Sequence, residues 1–190
     1  MYNIAILMGE AGAGKDKMLK LLLEKAPYLS GIVSCTTRPP REGEVHGINY
    51  YYYTPEQFGD MVLHGEMLEC VVFNDWFYGT SFESVRSGDV INIGIFNPSG
   101  VEALIERNDC NIIVFWIKTS DKTRLLRQLN REQNPDVREV VRRFTADYED
   151  FENINFNFIE IKNETLEDLE QGSEEILTQI KHWSAKGKNN

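Results

Sequence analysis

Residues 9–15, Gly-Glu-Ala-Gly-Ala-Gly-Lys, have the glycine spacing and the terminal lysine of a phosphate-binding loop. Backbone amides of such a loop surround phosphate oxygens, and the glycines let the backbone approach the ligand closely. The lysine adds a mobile positive charge for the outer phosphates. We therefore predict that this segment binds a nucleotide. The predicted nucleotide-binding residues are Gly9, Ala11, Gly12, Ala13, Gly14, Lys15, Asp16 and Lys17.

Asp16 stands where a loop of this pattern carries Ser or Thr, whose hydroxyl binds Mg²⁺. A carboxylate can also bind Mg²⁺, so Asp16 is the predicted metal ligand. Asp16 and Glu10 both add negative charge near the phosphates, and Lys17 offsets part of it. The alternative is that nucleotide affinity is weakened or lost.

A second motif begins about twenty residues after the glycine loop. It is a Ser, a Thr-Thr-Arg, a second Arg three residues on, then Gly-Glu, Gly and Tyr, followed by Leu-Glu and Tyr-Gly-Thr-Ser. The residues are Ser34, Thr36–Arg38, Arg41, Gly43–Glu44, Gly47, Tyr50, Leu68–Glu69 and Tyr78–Ser81. This pattern resembles the guanylate kinase family, and the resemblance runs from Ile4 to about Leu169. It implies an ATP-dependent kinase that phosphorylates GMP or dGMP, with ATP and Mg²⁺ at the glycine loop.

The resemblance implies a site for the monophosphate substrate. Arg38 and Arg41 would grip its phosphate, because planar guanidinium groups bind phosphate oxygens at two points. Tyr50 and Tyr78 would add hydroxyl donors. By similarity to the family, the residues that read the base are Ser34, Glu69 and Thr80. A carboxylate suits guanine, which presents two adjacent N–H donors, whereas adenine has no such pair.

Residues 121–150 resemble the helical lid of the family. Arg127 and Arg131 lie one helical turn apart, and Arg142 or Arg143 falls on the last lid arginine. Such arginines stabilise the charge of the transferring phosphoryl group. The predicted catalytic residues are Lys15, Arg38, Arg127, Arg131, Arg142 and Arg143. Arg124 and Arg138 are expected to be solvated helix charges, and Asn163 resembles a family position near adenine.

The chain also departs from the family outside the glycine loop. The family carries an acid near residues 92–97 that helps to read guanine, and Asn97 is the nearest substitute here. Two alternatives therefore stay open. One is a kinase for another, for example modified, nucleoside monophosphate. The other is a catalytically inactive binding module, favoured by Asp16 and Glu10.

The surrounding elements are predicted from hydrophobic patterns. Strands are expected at 2–8, 48–53, 88–96, 110–118 and 155–162, with a strand pair at 66–81. Helices are expected at 15–25, 54–65, 98–108 and 164–183, and over 119–152 with a break at Asn134–Pro135. Alternating strands and helices predict an α/β fold of the P-loop NTPase type, with three layers and a parallel sheet.

The predicted arrangement is a single domain. Its core comprises 1–33, 83–120 and 151–190, its β-rich monophosphate-binding insertion 34–82, and its lid 121–150. The 190-residue chain has a net charge of −10, which argues against broad binding to nucleic acids or anionic membranes. No apolar run approaches the ~20 residues of a membrane span, and no leader pattern is evident. The three cysteines are scattered, so the expected location is the cytoplasm. Oligomeric state is left open.

Overall fold

The structure is a computed structural model that describes residues 1–41, 43–73, 75–131 and 134–187. Strands and helices alternate along most of the chain. In chain order the elements are β1 (Tyr2–Met8), α1 (Lys15–Lys25), β2 (Leu29–Gly31), β3 (Cys35–Thr36), β4 (Tyr51–Tyr52), α2 (Pro55–Leu63), β5 (Met67–Phe73), β6 (Trp76–Ser81), a short 3₁₀ helix (Phe82–Ser84), β7 (Ile91–Ile95), α3 (Pro98–Ile105), β8 (Cys110–Lys118), α4 (Asp121–Leu129), α5 (Val137–Glu152), β9 (Ile159–Lys162) and α6 (Leu166–Gly187).

A five-stranded sheet has the strand order β2-β7-β1-β8-β9. Strand β2 pairs in parallel with β7, with Leu29 opposite Ile91, and β8 pairs in parallel with β9, with Phe115 opposite Ile159. Parallel strands joined by helices are the signature of an α/β protein. The glycine loop lies between β1 and α1, so the predicted α/β P-loop fold is confirmed.

The chain divides into two compact units, the first comprising Met1–Ile4 and Tyr28–Ile112. A four-stranded sheet in this unit has the order β4-β3-β6-β5. Strands β5 and β6 form an antiparallel hairpin, which confirms the predicted strand pair. Helix α2, predicted over 54–65, begins at a capping box in which Thr54 and Gln57 satisfy each other's backbone amides.

The second unit comprises Ala5–Pro27 and the chain from Ile113 onward. Helix α1 buries Met18 and Leu22, which lie four residues apart and so share a face. Helix α6 buries Ile176 and Ile180 at the same spacing. These apolar faces pack the strands and helices of the unit into one core, and that core fixes the two ends of the glycine loop.

Several predicted boundaries are wrong. The aromatic strand predicted over 48–53 contains only Tyr51–Tyr52, because residues 47–49 form a turn in which the Gly47 amide donates to the Tyr50 carbonyl. The last strand, predicted over 155–162, comprises only Ile159–Lys162. The closing helix, predicted over 164–183, comprises Leu166–Gly187.

The predicted division into core, insertion and lid stays a prediction, and positions 132 and 133 of the predicted lid lie outside the described residues. Within the part of the chain that the structure describes, no helix combines the length and apolarity needed to cross a membrane.

Candidate functional site

The glycine loop needs glycine at two positions for steric reasons. Gly12 has a φ of 82°, and a Cβ there would lie 2.5 Å from the Arg124 carbonyl oxygen. Gly14 has a φ of 94°, and a Cβ there would lie 2.5 Å from Asn163 Nδ2. Both the positive φ and the close approach exclude larger residues. The glycine spacing that predicts a phosphate-binding loop is thus also the spacing that this packing requires.

Lys15 begins α1 and turns its side chain back into the loop. Its Nζ donates to the Gly9 carbonyl at 2.6 Å and to the Glu10 carbonyl at 3.1 Å. Burial lowers the pKa of this ammonium, while the nearby Asp16, Asp147 and Glu10 charges oppose that shift. The Lys15 amine therefore lies inside the loop, where two carbonyls accept its hydrogen bonds.

The two loop acids have different surroundings. Glu10 turns towards β8, where its Oε2 accepts from Trp116 Nε1 at 3.1 Å and its Oε1 lies 3.8 Å from Lys118 Nζ. Asp16 is exposed in the first turn of α1, as is Lys17. An acid in a first turn is stabilised by the positive end of the helix dipole. Asp16 therefore has a structural role and still offers its carboxylate to solvent.

Asn163 and Arg127 hold the second half of the loop. Asn163 is buried, and its Nδ2 donates to the Ala13 carbonyl at 2.6 Å. Arg127 donates to the Gly12 and Ala13 carbonyls at 3.3 Å each, and to the carbonyls of Asn163 at 2.9 Å and Glu164 at 3.1 Å. Both side chains therefore fix the loop backbone.

The expectation that Arg124 is a solvated charge is wrong. Its side chain is 2% exposed and forms an ion pair of 2.5 Å with Asp147, a residue of α5 that the sequence patterns did not single out. Asp147 also accepts from the Ala11 amide at 2.9 Å. Burial raises the pKa of this carboxyl despite these donors. Because the partners are 23 positions apart, no local helix pattern reveals the pair.

The remaining predicted lid arginines differ in exposure. Arg131 is exposed, as is Arg138, which agrees with the solvated position expected for Arg138. The Arg142 side chain is 47% exposed and pairs with Glu139 at 2.7 Å. The Arg143 side chain is only 20% exposed and lies 3.1 Å from the same carboxylate. Arg143 also lies four residues before Asp147, so it shares the face of α5 that contacts the loop.

In the first unit, Arg38 and Glu44 form a buried ion pair. Arg38 Nη2 donates to Glu44 Oε2 at 2.9 Å, and Arg38 Nη1 donates to the Pro39 carbonyl at 2.8 Å. Burial disfavours the charged form of both groups. The charge and hydrogen bonds of each partner favour the charged form of the other by more than this cost. The pKa of Arg38 is therefore raised and that of Glu44 lowered.

Glu44 also contacts other residues of the turn that contains Pro39 and Pro40, called the proline-rich turn below. Its carboxylate accepts from the Arg41 amide at 2.8 Å and from the Tyr52 hydroxyl at 2.8 Å, and the Arg41 guanidinium lies 3.8 Å from it. The Arg38 guanidinium stands 5.5 Å from the centre of the Tyr50 ring, and the Tyr50 and Tyr78 ring centres are 6.0 Å apart. The four residues predicted to hold a phosphate are thus brought together around one acid.

The residues predicted to read the base lie on β5, on β6 and just before β3. Glu69 pairs with Thr80 across the hairpin, and both are buried. Burial raises the pKa of Glu69 to about 7. Ser34 is half-buried, and its carbonyl accepts from the Tyr51 amide at 2.9 Å. Asn97 instead caps α3, accepting from the Gly100 amide at 2.9 Å, so its side chain already has a structural role.

One buried polar atom of this region, Arg38 Nε, has no hydrogen-bond partner among the described residues. Buried polar groups are paired in the great majority of cases, so an unpaired one marks a position where a ligand can bind. This atom lies in the predicted phosphate grip. In the predicted base reader, a hydrogen bond from the buried Thr80 hydroxyl to Glu69 opposes the rise in the pKa of that carboxyl.

Comparisons with known proteins agree over nearly the whole chain. The family model described as guanylate kinase matches residues 1–180. The guanylate kinase of Helicobacter pylori is 30% identical over 184 residues, covering 93% of this chain and 85% of the relative. That of Clostridioides difficile is 30% identical over 190 residues, covering 98% and 92%. A crystal structure of guanylate kinase from Anaplasma phagocytophilum shares the fold, with a TM-score of 0.66 at 19% identity, covering 95% of this chain and 86% of that one.

Proposed function

The chain belongs to the guanylate kinase family, and from this premise we propose that it transfers the γ-phosphoryl group of ATP to GMP or dGMP. The products are ADP and GDP or dGDP. The observation that carries this assignment is the family match across residues 1–180, which includes both the glycine loop and the arginine turn. The residue roles below are proposals that the local geometry supports.

The glycine loop is the proposed site of the β- and γ-phosphates of ATP. Lys15 Nζ now donates to the Gly9 and Glu10 carbonyls, and it would exchange them for phosphate oxygens. The amides of Gly12, Ala13 and Gly14 would surround the same anion. The two glycine backbones already have the positive φ that such a loop uses.

The proline-rich turn is the proposed site of the acceptor phosphate. Arg38, Arg41, Tyr50 and Tyr78 would hold it, with Glu44 keeping both guanidinium groups in place. The unpaired Arg38 Nε supports this role, because a phosphate oxygen would satisfy it. A phosphate oxygen of GMP is already anionic, so the attack requires positioning and charge neutralisation rather than a strong general base.

The hairpin of β5 and β6 is the proposed reader of guanine. Glu69 would accept from the two adjacent N–H groups of the base, Ser34 would donate to its O6, and Thr80 would complete the edge. The buried Thr80 hydroxyl beside Glu69 supports this arrangement. Because burial raises the pKa of Glu69 to about 7, the carboxylate gains most from a ligand that donates two hydrogen bonds to it.

Asp16 is the proposed protein ligand of Mg²⁺. Its exposed carboxylate in the first turn of α1 offers the oxygen donor that this ion prefers, next to the lysine of the loop. When bound, Mg²⁺ neutralises charge on the phosphates of ATP. Asp16 itself would hold one coordination position, and water can supply others.

Arg127, Arg131 and one arginine of the Arg142–Arg143 pair are proposed to stabilise the transferring phosphoryl group. Arg143 is the stronger candidate of the pair, because it lies on the α5 face that carries Asp147 and is less exposed than Arg142. Arg127 already contacts loop carbonyls. It would therefore position the loop as well as supply a positive charge.

The test is a coupled assay of ADP release with ATP, Mg²⁺ and each ribo- and deoxyribonucleoside monophosphate in turn. We expect turnover with GMP and dGMP, and little with the others. Equal or faster turnover of another base would reject the guanine assignment and favour the kinase for a different monophosphate. No turnover, together with retained GMP binding in calorimetry, would favour the inactive binding module.

A further inference from the structure

One carboxylate oxygen in the second unit accepts two hydrogen bonds at the glycine loop. Asp147 Oδ2 accepts from the Ala11 backbone amide at 2.9 Å and from Arg124 Nη2 at 2.5 Å. Both side chains are buried, with exposed fractions of 5% for Asp147 and 2% for Arg124. A backbone amide and a guanidinium that converge on one anionic oxygen form the type of site that binds a phosphate oxygen.

The Arg124 guanidinium is held in place by contacts that do not involve Asp147. Its Nε donates to the Ala11 carbonyl at 3.1 Å, its Nη1 donates to Asp121 at 2.9 Å, and its plane lies 4.8 Å from the centre of the Phe144 ring. Gln128 Nε2 donates to the same Ala11 carbonyl at 3.3 Å. The guanidinium therefore has a fixed position at the loop, independent of the anion on its Nη2.

The charges around the loop make Asp147 a competitor for an incoming phosphate. Glu10 lies 4.0 Å from Arg124 Nη1, so this guanidinium faces three carboxylates. Lys15 also lies within electrostatic reach of Asp147. A triphosphate oxygen that reached the loop would find Asp147 Oδ2 already on the Ala11 amide and on Arg124 Nη2. The two anions compete for the same donors.

Stability alone is a weak reason for this pair. Removing two charges from water is unfavourable, and a buried ion pair recovers that loss only when its geometry is very good. The Arg124–Asp147 pair instead holds two phosphate-binding donors in an ordered state.

We propose that Arg124 is a phosphate-binding residue of the glycine loop and that Asp147 is an internal anion occupying its site. On binding, an oxygen of the ATP triphosphate replaces Asp147 Oδ2 on the Ala11 amide and on Arg124 Nη2. This inference rests on the proposed function of the loop as the ATP site. It goes beyond that function because it assigns a residue of α4 to the phosphate and a competing residue of α5.

The proposal has a measurable consequence for affinity. If only a fraction of the molecules has the Ala11 amide and Arg124 released from Asp147, the apparent affinity for ATP is reduced by that fraction. Asp147→Asn keeps the shape of the side chain but removes its charge, so it releases the donors more readily. Arg124→Lys keeps a charge but loses the planar fork.

The experiment compares the full chain with three variants: Asp147→Asn, Arg124→Lys and a control, Glu149→Gln. The control removes one negative charge from an exposed position of the same helix. Binding of inorganic tripolyphosphate is measured by calorimetry, and KM values for ATP and GMP are measured in the coupled assay. Thermal unfolding of each variant shows whether it folds.

We expect Asp147→Asn to bind tripolyphosphate and ATP roughly three- to tenfold more tightly, with the KM for GMP unchanged. Arg124→Lys should bind both about tenfold more weakly, and Glu149→Gln should match the unmodified chain. Equal or weaker tripolyphosphate binding by Asp147→Asn would overturn the inference, since a purely supporting role predicts that result. If the unmodified chain shows no turnover, the proposed function fails, and the tripolyphosphate comparison still decides the inference.

Discussion

The two proposed phosphate-binding regions of this protein use their hydrogen-bond donors differently. In the glycine loop, Lys15, Arg127 and the Ala11 amide donate to groups of the chain itself. In the proline-rich turn, Glu44 holds Arg38 and Arg41, yet Arg38 Nε has no partner within the described residues. Lys15, Arg127 and the Ala11 amide therefore already have acceptors within the chain, whereas the turn keeps a buried donor for a ligand.

This difference implies different energetics for the two substrates. A phosphate that binds the loop must replace hydrogen bonds that already exist, so its net gain is the difference between two sets of bonds. A phosphate that binds the turn adds a partner to an atom that lacks one. We expect GMP to bind without rearrangement of its site, and ATP to require an exchange of partners.

The largest expected effect comes from removing the loop charge. Lys15→Ala should lower kcat by about 10²- to 10³-fold, because it deletes a cation that faces the transferring group. GMP binding, measured by calorimetry, should persist, since the turn does not depend on Lys15. Lys20→Ala on the exposed side of α1, where the side chain is 79% exposed, is the control. Undiminished turnover of Lys15→Ala would show that the loop assignment is wrong.

The second effect tests the turn. Glu44→Gln should destabilise the protein by about 3 kcal/mol, because it leaves a buried Arg38 without its counter-charge. Urea unfolding measures this, and Glu24→Gln, in an exposed pair of 3.9 Å with Lys20, should change stability by less than about 1 kcal/mol.

The difference in stability between the unmodified chain and Glu44→Gln should depend on pH, because the pKa of Glu44 is lowered. A carboxyl with a lowered pKa in the folded protein contributes its stability above its ordinary pKa of 4.5, and loses it as the pH falls further. The gap between the unmodified chain and Glu44→Gln should therefore shrink in acid. A gap that stays constant from pH 7 to pH 3 would mean that the ion pair is not its cause.

The third effect concerns the base reader. Glu69→Gln should reduce the preference for GMP over AMP roughly thirtyfold, since an amide cannot accept from both N–H groups of guanine. The same change should stabilise the ligand-free protein at pH 8 by up to about 3 kcal/mol, because it removes a buried charge. Unchanged relative rates for GMP and AMP would reject Glu69 as the base reader.

The pKa of Glu69, raised to about 7, sets the sign of the pH effect. The destabilising charge develops as the pH rises from 4.5 towards 7, so the stability gain of Glu69→Gln should vanish in acid. Guanine binding needs the ionised carboxylate, so the KM for GMP should rise as the pH falls below about 7. The KM of Glu69→Gln for GMP should not show this rise. Comparing the two proteins therefore separates titration of Glu69 from titration of the nucleotide itself.

The smallest expected effect separates the two adjacent arginines of α5. Arg143→Ala should lower kcat about tenfold through the loss of a charged hydrogen-bond donor. Arg142→Ala should have a smaller effect, because its side chain is 47% exposed and pairs with Glu139. The reverse order in the coupled assay would show that Arg142 is the lid residue.

Local patterns predicted most elements of this fold. Helix α2 begins at Thr54 as its capping box indicates, and β1, β8 and the β5–β6 hairpin lie where apolar runs indicate. These signals depend on neighbours within a few residues. Strand β4 is shorter than the strand predicted over 48–53, because the turn at Gly47 takes residues that also suit a strand.

The ion pair between Arg124 and Asp147 was not predicted, for a different reason. Arg124 carries the spacing of an ordinary exposed helix residue, and its partner Asp147 lies 23 positions away on another helix. Nothing local distinguishes Asp147 from the other acids of α5. The one local signal was the 3- and 4-residue spacing of Arg124 from Arg127 and Gln128, which places all three on the loop side of α4.

Helix α1 begins at Gly14 without a side chain that caps its first amides, within the described part of the chain. A helix start leaves several N–H groups unsatisfied, and an anion bound there supplies the missing acceptors. The nucleotide would then be part of the folded scaffold, and thermal stability would depend on nucleotide supply. A site saturated a hundredfold above its dissociation constant adds about 2.7 kcal/mol to the free energy of unfolding. In a cell that is short of ATP, this protein would be the more readily unfolded.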